Sequence, residues 1–249
     1  HNDFFEEVAK FRAARQLWHD LVTERFEPTN PKSSMLRFHT QTAGVTLTAQ
    51  QPLNNAVRVS YQALSAVLGG TQSLHTNSYD EAIGLPTEES ALLALRTQQI
   101  LAEETNIPNS VDPLAGSYLV EELTYKLYQN SRDLIKEIDD LGGAMQCVIA
   151  GYQQRHIHEA AWNQLQSIED GTTKVIGVNS FAEAETSDIV GQIQNPAIAE
   201  LQRDNIGEII DKRDLVKADQ CIRSLEEALI DGSNLMEPMI EAFKAEITL

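Results

Sequence analysis

Two stretches of this chain read almost alike, Phe38-His39-Thr40-Gln41 and Leu74-His75-Thr76-Asn77. In each, a short extended run ends in histidine, threonine and a carboxamide, and a polar loop and a helix start follow. Around the first copy, Ser34-Met35-Leu36-Arg37-Phe38-His39 predicts a short strand and residues 40–51 a loop. Pro52 suits the first position of a helix, where its missing N–H costs nothing. That helix places Val57, Tyr61, Leu64 and Leu68 on one face and stops at Gly69-Gly70, a glycine cap. Residues 71–75 then predict a second strand and 76–85 a second loop. Pro86-Thr87-Glu88-Glu89 reads as a helix start, with Thr87 as cap and early glutamates at the positive end of the dipole. Strand, loop, helix, twice over, is the rhythm of a parallel sheet with crossover helices. Two units do not close an eight-stranded barrel, which takes about 250 residues by itself.

Working outward, residues 4–24 predict an amphipathic helix with Phe4, Val8, Phe11, Leu17, Trp18, Leu21 and Val22 at helical spacing. It starts abruptly, with no evident cap or strand before it, so further sequence upstream is expected. Downstream the rhythm changes near residues 107–116, where a boundary is expected between 1–111 and 112–249. Asp112-Pro113 and Gly116-Ser117 predict a turn, residues 118–141 a long helix ended by Gly142-Gly143, and 155–168 another helix. Residues 174–179 read as a short extended piece, and 195–209, 215–230 and 235–247 as helices. The fold class expected is therefore α/β, followed by a mostly helical part.

Composition narrows the function. The 249 residues carry a net charge of −18, which repels phosphate backbones and anionic lipid, so neither nucleic acid nor a membrane is expected as the main partner. No apolar run reaches the roughly 20 residues that span a bilayer. The cysteines, Cys147 and Cys221, lack ligand-type neighbours and read as reduced thiols of a cytoplasmic protein.

In parallel α/β architectures ligands bind at the C-terminal ends of the strands, and the two His-Thr-amide sets fall there. The loops Gln41-Thr42-Ala43-Gly44 and Asp80-Glu81-Ala82-Ile83-Gly84-Leu85 mix small residues with a few polar ones. Small residues let a broad, flat ligand approach the backbone, while Gln41, Asn77 and Glu81 can bond to its polar edge. Two blander readings stand beside this one. His39 and His75 could simply pin loops, or they could join Asp80 and Glu81 around a metal, although without the tight spacing typical of metal motifs. Asp112, Asp139 and Asp140 read as caps or solvated carboxylates. His156 and His158 diverge on a helix. No glycine-rich phosphate loop or nucleophile elbow is present.

Longer strings add a resemblance. Phe4-Phe5-Glu6-Glu7-Val8-Ala9-Lys10-Phe11-Arg12-Ala13-Ala14-Arg15, Arg37-Phe38-His39-Thr40-Gln41-Thr42-Ala43-Gly44, Leu47-Thr48-Ala49-Gln50-Gln51-Pro52-Leu53-Asn54-Asn55, Gly69-Gly70-Thr71-Gln72-Ser73-Leu74-His75-Thr76-Asn77 and Asp112-Pro113-Leu114-Ala115-Gly116-Ser117-Tyr118 resemble the large, catalytic subunit of adenosylcobalamin-dependent acyl-CoA mutases, the methylmalonyl-CoA mutase family. The resemblance runs essentially end to end. It implies the C-terminal part of a TIM-type (β/α)8 barrel, from just after the sixth strand, followed by a helical extension leading toward a cobalamin-binding domain or small subunit. It implies adenosylcobalamin as cofactor, with Gln41, Asn77 and Glu81 around the adenosyl group and Gly44, Ala82, Gly84 and Leu85 as loop contacts to the corrin. The family more often has alanine at the position of Gly84, a change that a backbone contact survives and a methyl contact does not.

The implied chemistry is cobalt–carbon homolysis, hydrogen abstraction and a 1,2-shift in an acyl-CoA, methylmalonyl-CoA to or from succinyl-CoA. Isobutyryl-CoA or 2-hydroxyisobutyryl-CoA mutase, and a non-catalytic scaffold subunit derived from the family, are the alternatives. The family's substrate contacts come from earlier strands, and its Asp-x-His-x-x-Gly segment, which supplies the lower cobalt ligand, is not among these residues. No catalytic residue is therefore assigned, and the chain alone is expected to be inactive, with the acyl-CoA bound mainly by an upstream barrel half and an oligomer as the working form.

Overall fold

The computed structural model describes residues 1–183 and 195–248. The first compact unit is His1–Gln192 and the second is Ile193–Leu249.

Helix α1, Phe4–Phe26, opens the first unit. It does have a cap, which the sequence reading missed: Asp3 Oδ1 accepts the Glu6 N–H at 3.2 Å. Its buried stripe is Val8, Ala9, Phe11 and Ala13, mostly small residues, so neighbouring helices come close. A 3-10 turn, Pro31–Ser34, in which Pro31 fixes its φ and Asn30 caps the Lys32 N–H, takes up Ser34, and residues 35–38 of the expected first strand are irregular. Strand β1 is His39–Gln41 and strand β2 is Ser73–His75, paired in parallel with His39 opposite Ser73 and Gln41 opposite His75. The second expected strand thus shrinks, and the first slips forward from 34–39, each to the residues that face each other. Gln72 uses its side chain in place of a ladder bond, its Oε1 accepting the Phe38 N–H at 2.9 Å.

Between the strands runs α2, Asn54–Leu68, which begins two residues after Pro52. The face predicted to be buried is mostly the wrong one. Val57 and Tyr61 are exposed, and the helix buries Asn55, Val59, Gln62, Ala63, Ser65 and Ala66. Close packing on α1 contributes at the C-terminal end of α2, where a Cβ on Gly69 would stand 2.4 Å from Phe11 Cδ2 and leaves room only for small groups. Phe11 stacks in turn on Phe38 at the start of β1, with ring centroids 5.1 Å apart.

Helix α3, Glu88–Glu103, follows β2 and is capped as predicted, Thr87 Oγ1 accepting the Ser90 N–H. Helix α4, Tyr118–Asp140, lies beyond the boundary expected at 111/112, yet it packs along α1 inside the first unit. Asp112 is not a cap: it pairs with Arg12 at 3.1 Å and helps pin α1. A short α5, Ala144–Ile149, which periodicity did not reveal, precedes α6, Tyr152–Glu169. Residues 174–179 contribute only an isolated bridge, Ile176 to Ser180, around a turn held by Asn179.

In the second unit, α7 is Pro196–Lys212, α8 is Leu215–Asp231 and α9 is Met236–Lys244. Ala218, Ala228, Ala242 and Ala245 are its buried apolar residues, where α8 meets α9. Among the described residues, no helix is long and apolar enough to cross a membrane. The observed class is a mostly helical α/β chain with a small parallel sheet.

Candidate functional site

Because strand residues alternate and the pair is parallel, His39, Gln41, Ser73 and His75 share one face of the sheet. All four are exposed, whereas Thr40 and Leu74 on the other face are half-buried. The helices cover one side of this sheet and leave a polar side open.

At the C-terminal end of the strands, Thr42 joins the two chains. Its N–H donates to His75 O at 3.0 Å, and its Oγ1 accepts the Asn77 N–H at 2.9 Å. Gln41 Nε2 donates to Asn77 Oδ1 at 3.0 Å. Gly44 lies against the same group: a Cβ there would stand 2.6 Å from Asn77 Nδ2 and 3.5 Å from Glu81 Oε1. Gln41 at the end of β1, and Gly44, Asn77 and Glu81 from the two loops, thus meet at one place. Asn77 is 2% exposed, and its Nδ2 has no hydrogen-bond acceptor. A buried donor without an acceptor costs about 1–3 kcal/mol, so folded proteins keep few of them without a reason.

The loop beyond Asn77 is wound around Asp80, which is fully buried. Its carbonyl accepts from Ile83 at 2.8 Å and from Gly84 at 3.1 Å, and its Oδ2 accepts the Thr87 N–H at 3.1 Å. Burial alone would raise this carboxyl. The nearby hydroxyls of Ser78 and Ser90 and the Thr87 N–H outweigh it and hold Asp80 below the ordinary carboxylate range, although Ser78 Oγ lies outside strict hydrogen-bond geometry. With Asp80 turned inward, Glu81 is left exposed, followed by exposed Ala82, Gly84 and Leu85.

The metal alternative gains no support. His39 Nδ1 bonds to Ser73 Oγ at 2.7 Å, Asp80 is committed to the α3 cap, and no three potential ligands converge among the described residues. Sequence reasoning passed over Asn55, Arg58 and Gln62. Gln62 Oε1 accepts the Ala43 N–H at 2.7 Å, and Asn55 reaches both loops. A polar residue on the inner side of a helix, at Asn55 and again at Gln62, was the available signal.

Two strand–loop–helix units here place a convergent polar rim at the strand ends, the position where parallel α/β folds commonly bind ligands. The methylmalonyl-CoA mutase family profile matches residues 1–249, and this chain belongs to that family. It is 44% identical over 248 residues to the probable mitochondrial methylmalonyl-CoA mutase of Caenorhabditis elegans, covering 99% of this chain and 33% of that protein. It is 45% identical over 249 residues to the methylmalonyl-CoA mutase of Rhizobium meliloti, with 99% and 35% covered. To the human mitochondrial enzyme it is 41% identical, with 99% and 33% covered. The chain spans about a third of the length of the curated relatives it matches.

Proposed function

We propose that these residues form one wall of an adenosylcobalamin-dependent mutase that interconverts methylmalonyl-CoA and succinyl-CoA. The observation that carries the reading is the meeting of Gln41, Gly44, Asn77 and Glu81 at the ends of adjacent parallel strands. Residues 1–111 are read as the last units of a (β/α)8 barrel, whose inward side is the open face of His39, Gln41, Ser73 and His75. Residues 112–249 are read as the extension toward a cobalamin-binding domain or subunit. The relatives' names carry methylmalonyl-CoA, and their roughly threefold greater length leaves room for the remaining strands and the acyl-CoA contacts.

The residues present fit the cofactor's edge. Asn77 offers a buried donor without an acceptor, Glu81 an exposed carboxylate suited to ribose hydroxyls, and Gly44 a surface without a side chain. Ala82, Gly84 and Leu85 provide a low, mostly apolar shelf for the corrin. When bound, adenosylcobalamin supplies a weak cobalt–carbon bond whose homolysis begins the radical chemistry. These residues orient it and exclude water. The unpaired cysteines, one buried and one partly so, accord with a reducing compartment, the cytoplasm for this chain, although two of the three relatives named above carry "mitochondrial" in their names.

The test uses the full-length protein. Methylmalonyl-CoA with adenosylcobalamin should yield succinyl-CoA, and Glu81→Gln should weaken adenosylcobalamin about tenfold in an equilibrium titration. Preferential turnover of isobutyryl-CoA or 2-hydroxyisobutyryl-CoA would replace the substrate. Affinity indifferent to Glu81 would sink the site.

A further inference from the structure

We propose that Asn55 and Arg58 are positioning residues that hold the two rim loops in mutual register, an inference that rests on the rim being the cofactor edge described above. Asn55 is 0% exposed. Its Oδ1 accepts the Thr48 N–H at 3.1 Å and Arg58 Nη1 at 2.7 Å. Its Nδ2 donates to Thr48 O and to Tyr79 O, both at 2.8 Å. The amide therefore uses both donors and both acceptor sites. Thr48 belongs to the loop that carries Gly44, and Tyr79 sits between Asn77 and Glu81. One side chain thus ties both loops from the helix side, in addition to the bonds Thr42 makes to His75 and Asn77 at the strand ends.

Arg58 completes the lock. Besides Asn55 it donates to Thr48 Oγ1 at 3.1 Å, and its Nη2 donates to Ile176 O at 2.7 Å. The segment after α6 is also held by Gln51 Nε2, which donates to Phe181 O at 3.1 Å. A Cβ on Gly177, whose φ is +84°, would press on Gln51 at 3.1 Å. The same guanidinium therefore holds Asn55 and the segment that follows α6. Neither residue lies among the groups that meet at the rim, so both act through the loops.

Hydrogen exchange and a double-mutant cycle in the full-length protein test this. Arg58→Met keeps the aliphatic stem and removes every donor. The hydrogen-bonded loop amides of Glu81, Ile83 and Gly84 should then exchange about tenfold faster or more, while amides within α4 keep their wild-type rates. The effect of Glu81→Gln on adenosylcobalamin affinity should shrink in the Arg58→Met background, and Arg58→Lys should restore part of both signals. Loop amides at wild-type rates, or loop and α4 amides quickening together, would overturn the proposal. So would an undiminished Glu81→Gln effect. Exchange needs no cofactor, so faster loop amides with an affinity indifferent to Glu81 in either background would uphold the clamp and remove the cofactor reading instead.

Discussion

The rim and the seam between α1 and α4 are both polar, but they are built on different principles. In the rim and in the loops and helix directly behind it, Thr42, Asn55, Gln62, Asn77 and Asp80 are buried, and all but Asp80 are neutral. Along the seam, Arg12 meets Glu121 at 2.8 Å, Arg132 meets Glu24 at 2.7 Å and Arg25 meets Asp139 at 2.6 Å. The acidic partners there are half exposed. Tyr128 also donates to Asp20, and the Asp20–Tyr128 and Glu24–Arg132 pairs share one sequence separation of 108, so the helices run side by side in the same direction. Water can replace a seam partner but cannot reach the rim's interior. Geometry in this protein is therefore held by buried amides and hydroxyls more than by its many charges.

The largest expected effect tests that contrast directly. Asn55→Ala strands Tyr79 O and the Thr48 backbone and should lower stability in urea unfolding by about 2–4 kcal/mol. A loss comparable to that of an exposed seam residue would erase the distinction. Gly44→Ala comes next: the new methyl must displace Asn77, costing about 1–3 kcal/mol. Its adenosylcobalamin affinity should fall further than its stability, and a stability loss with unchanged affinity would detach Gly44 from the rim. In the seam, Arg12 is the exception, because its side chain is only 13% exposed and it also donates to Thr124 Oγ1. Arg12→Met should cost about 1–2 kcal/mol, and a neutral outcome would extend the seam's low value even to its buried end.

A smaller effect reads the rim's one buried charge. Asp80 has its folded pKa below the ordinary value of 3.8, so the unfolded chain binds the proton more readily. Its contribution is complete above the ordinary value and is lost as pH falls through the lower folded one. Wild-type stability should fall more steeply than that of Asp80→Asn between about pH 5 and about pH 2, and parallel curves would exclude the carboxylate as the source. Smallest of all, Arg132→Gln should leave the urea midpoint unchanged, most clearly in high salt. A salt-sensitive drop would raise the seam's standing.

Much of this was legible in the residues, and what was not has a physical cause. Thr87 as cap, the parallel pairing and the loops that carry Gln41 and Glu81 could all be read from local chemistry and from the doubled His-Thr-amide string. The first strand slipped from 34–39 to His39–Gln41, because pairing depends on where a partner strand lies. The buried face of α2 was misread for a similar cause. Val57 and Tyr61 are large and apolar, yet α1 approaches from the side of Ala63, Ala66 and Gly69, where only small groups fit.

The sequence by itself determined the elements with strong local signals and, through strings shared with a family, the membership of this chain. It also supplied Gln41, Gly44, Asn77 and Glu81 as candidates, since small and polar residues at strand ends have few other uses. Only the tertiary structure decided that these four meet and that Asp80 turns inward while Glu81 stays out. It alone made Asn55 a link between the two loops. Hydrogen bonds between side chains and distant backbone follow no period in the sequence. They appear only once packing has brought residues 48, 55 and 79 within reach of one another.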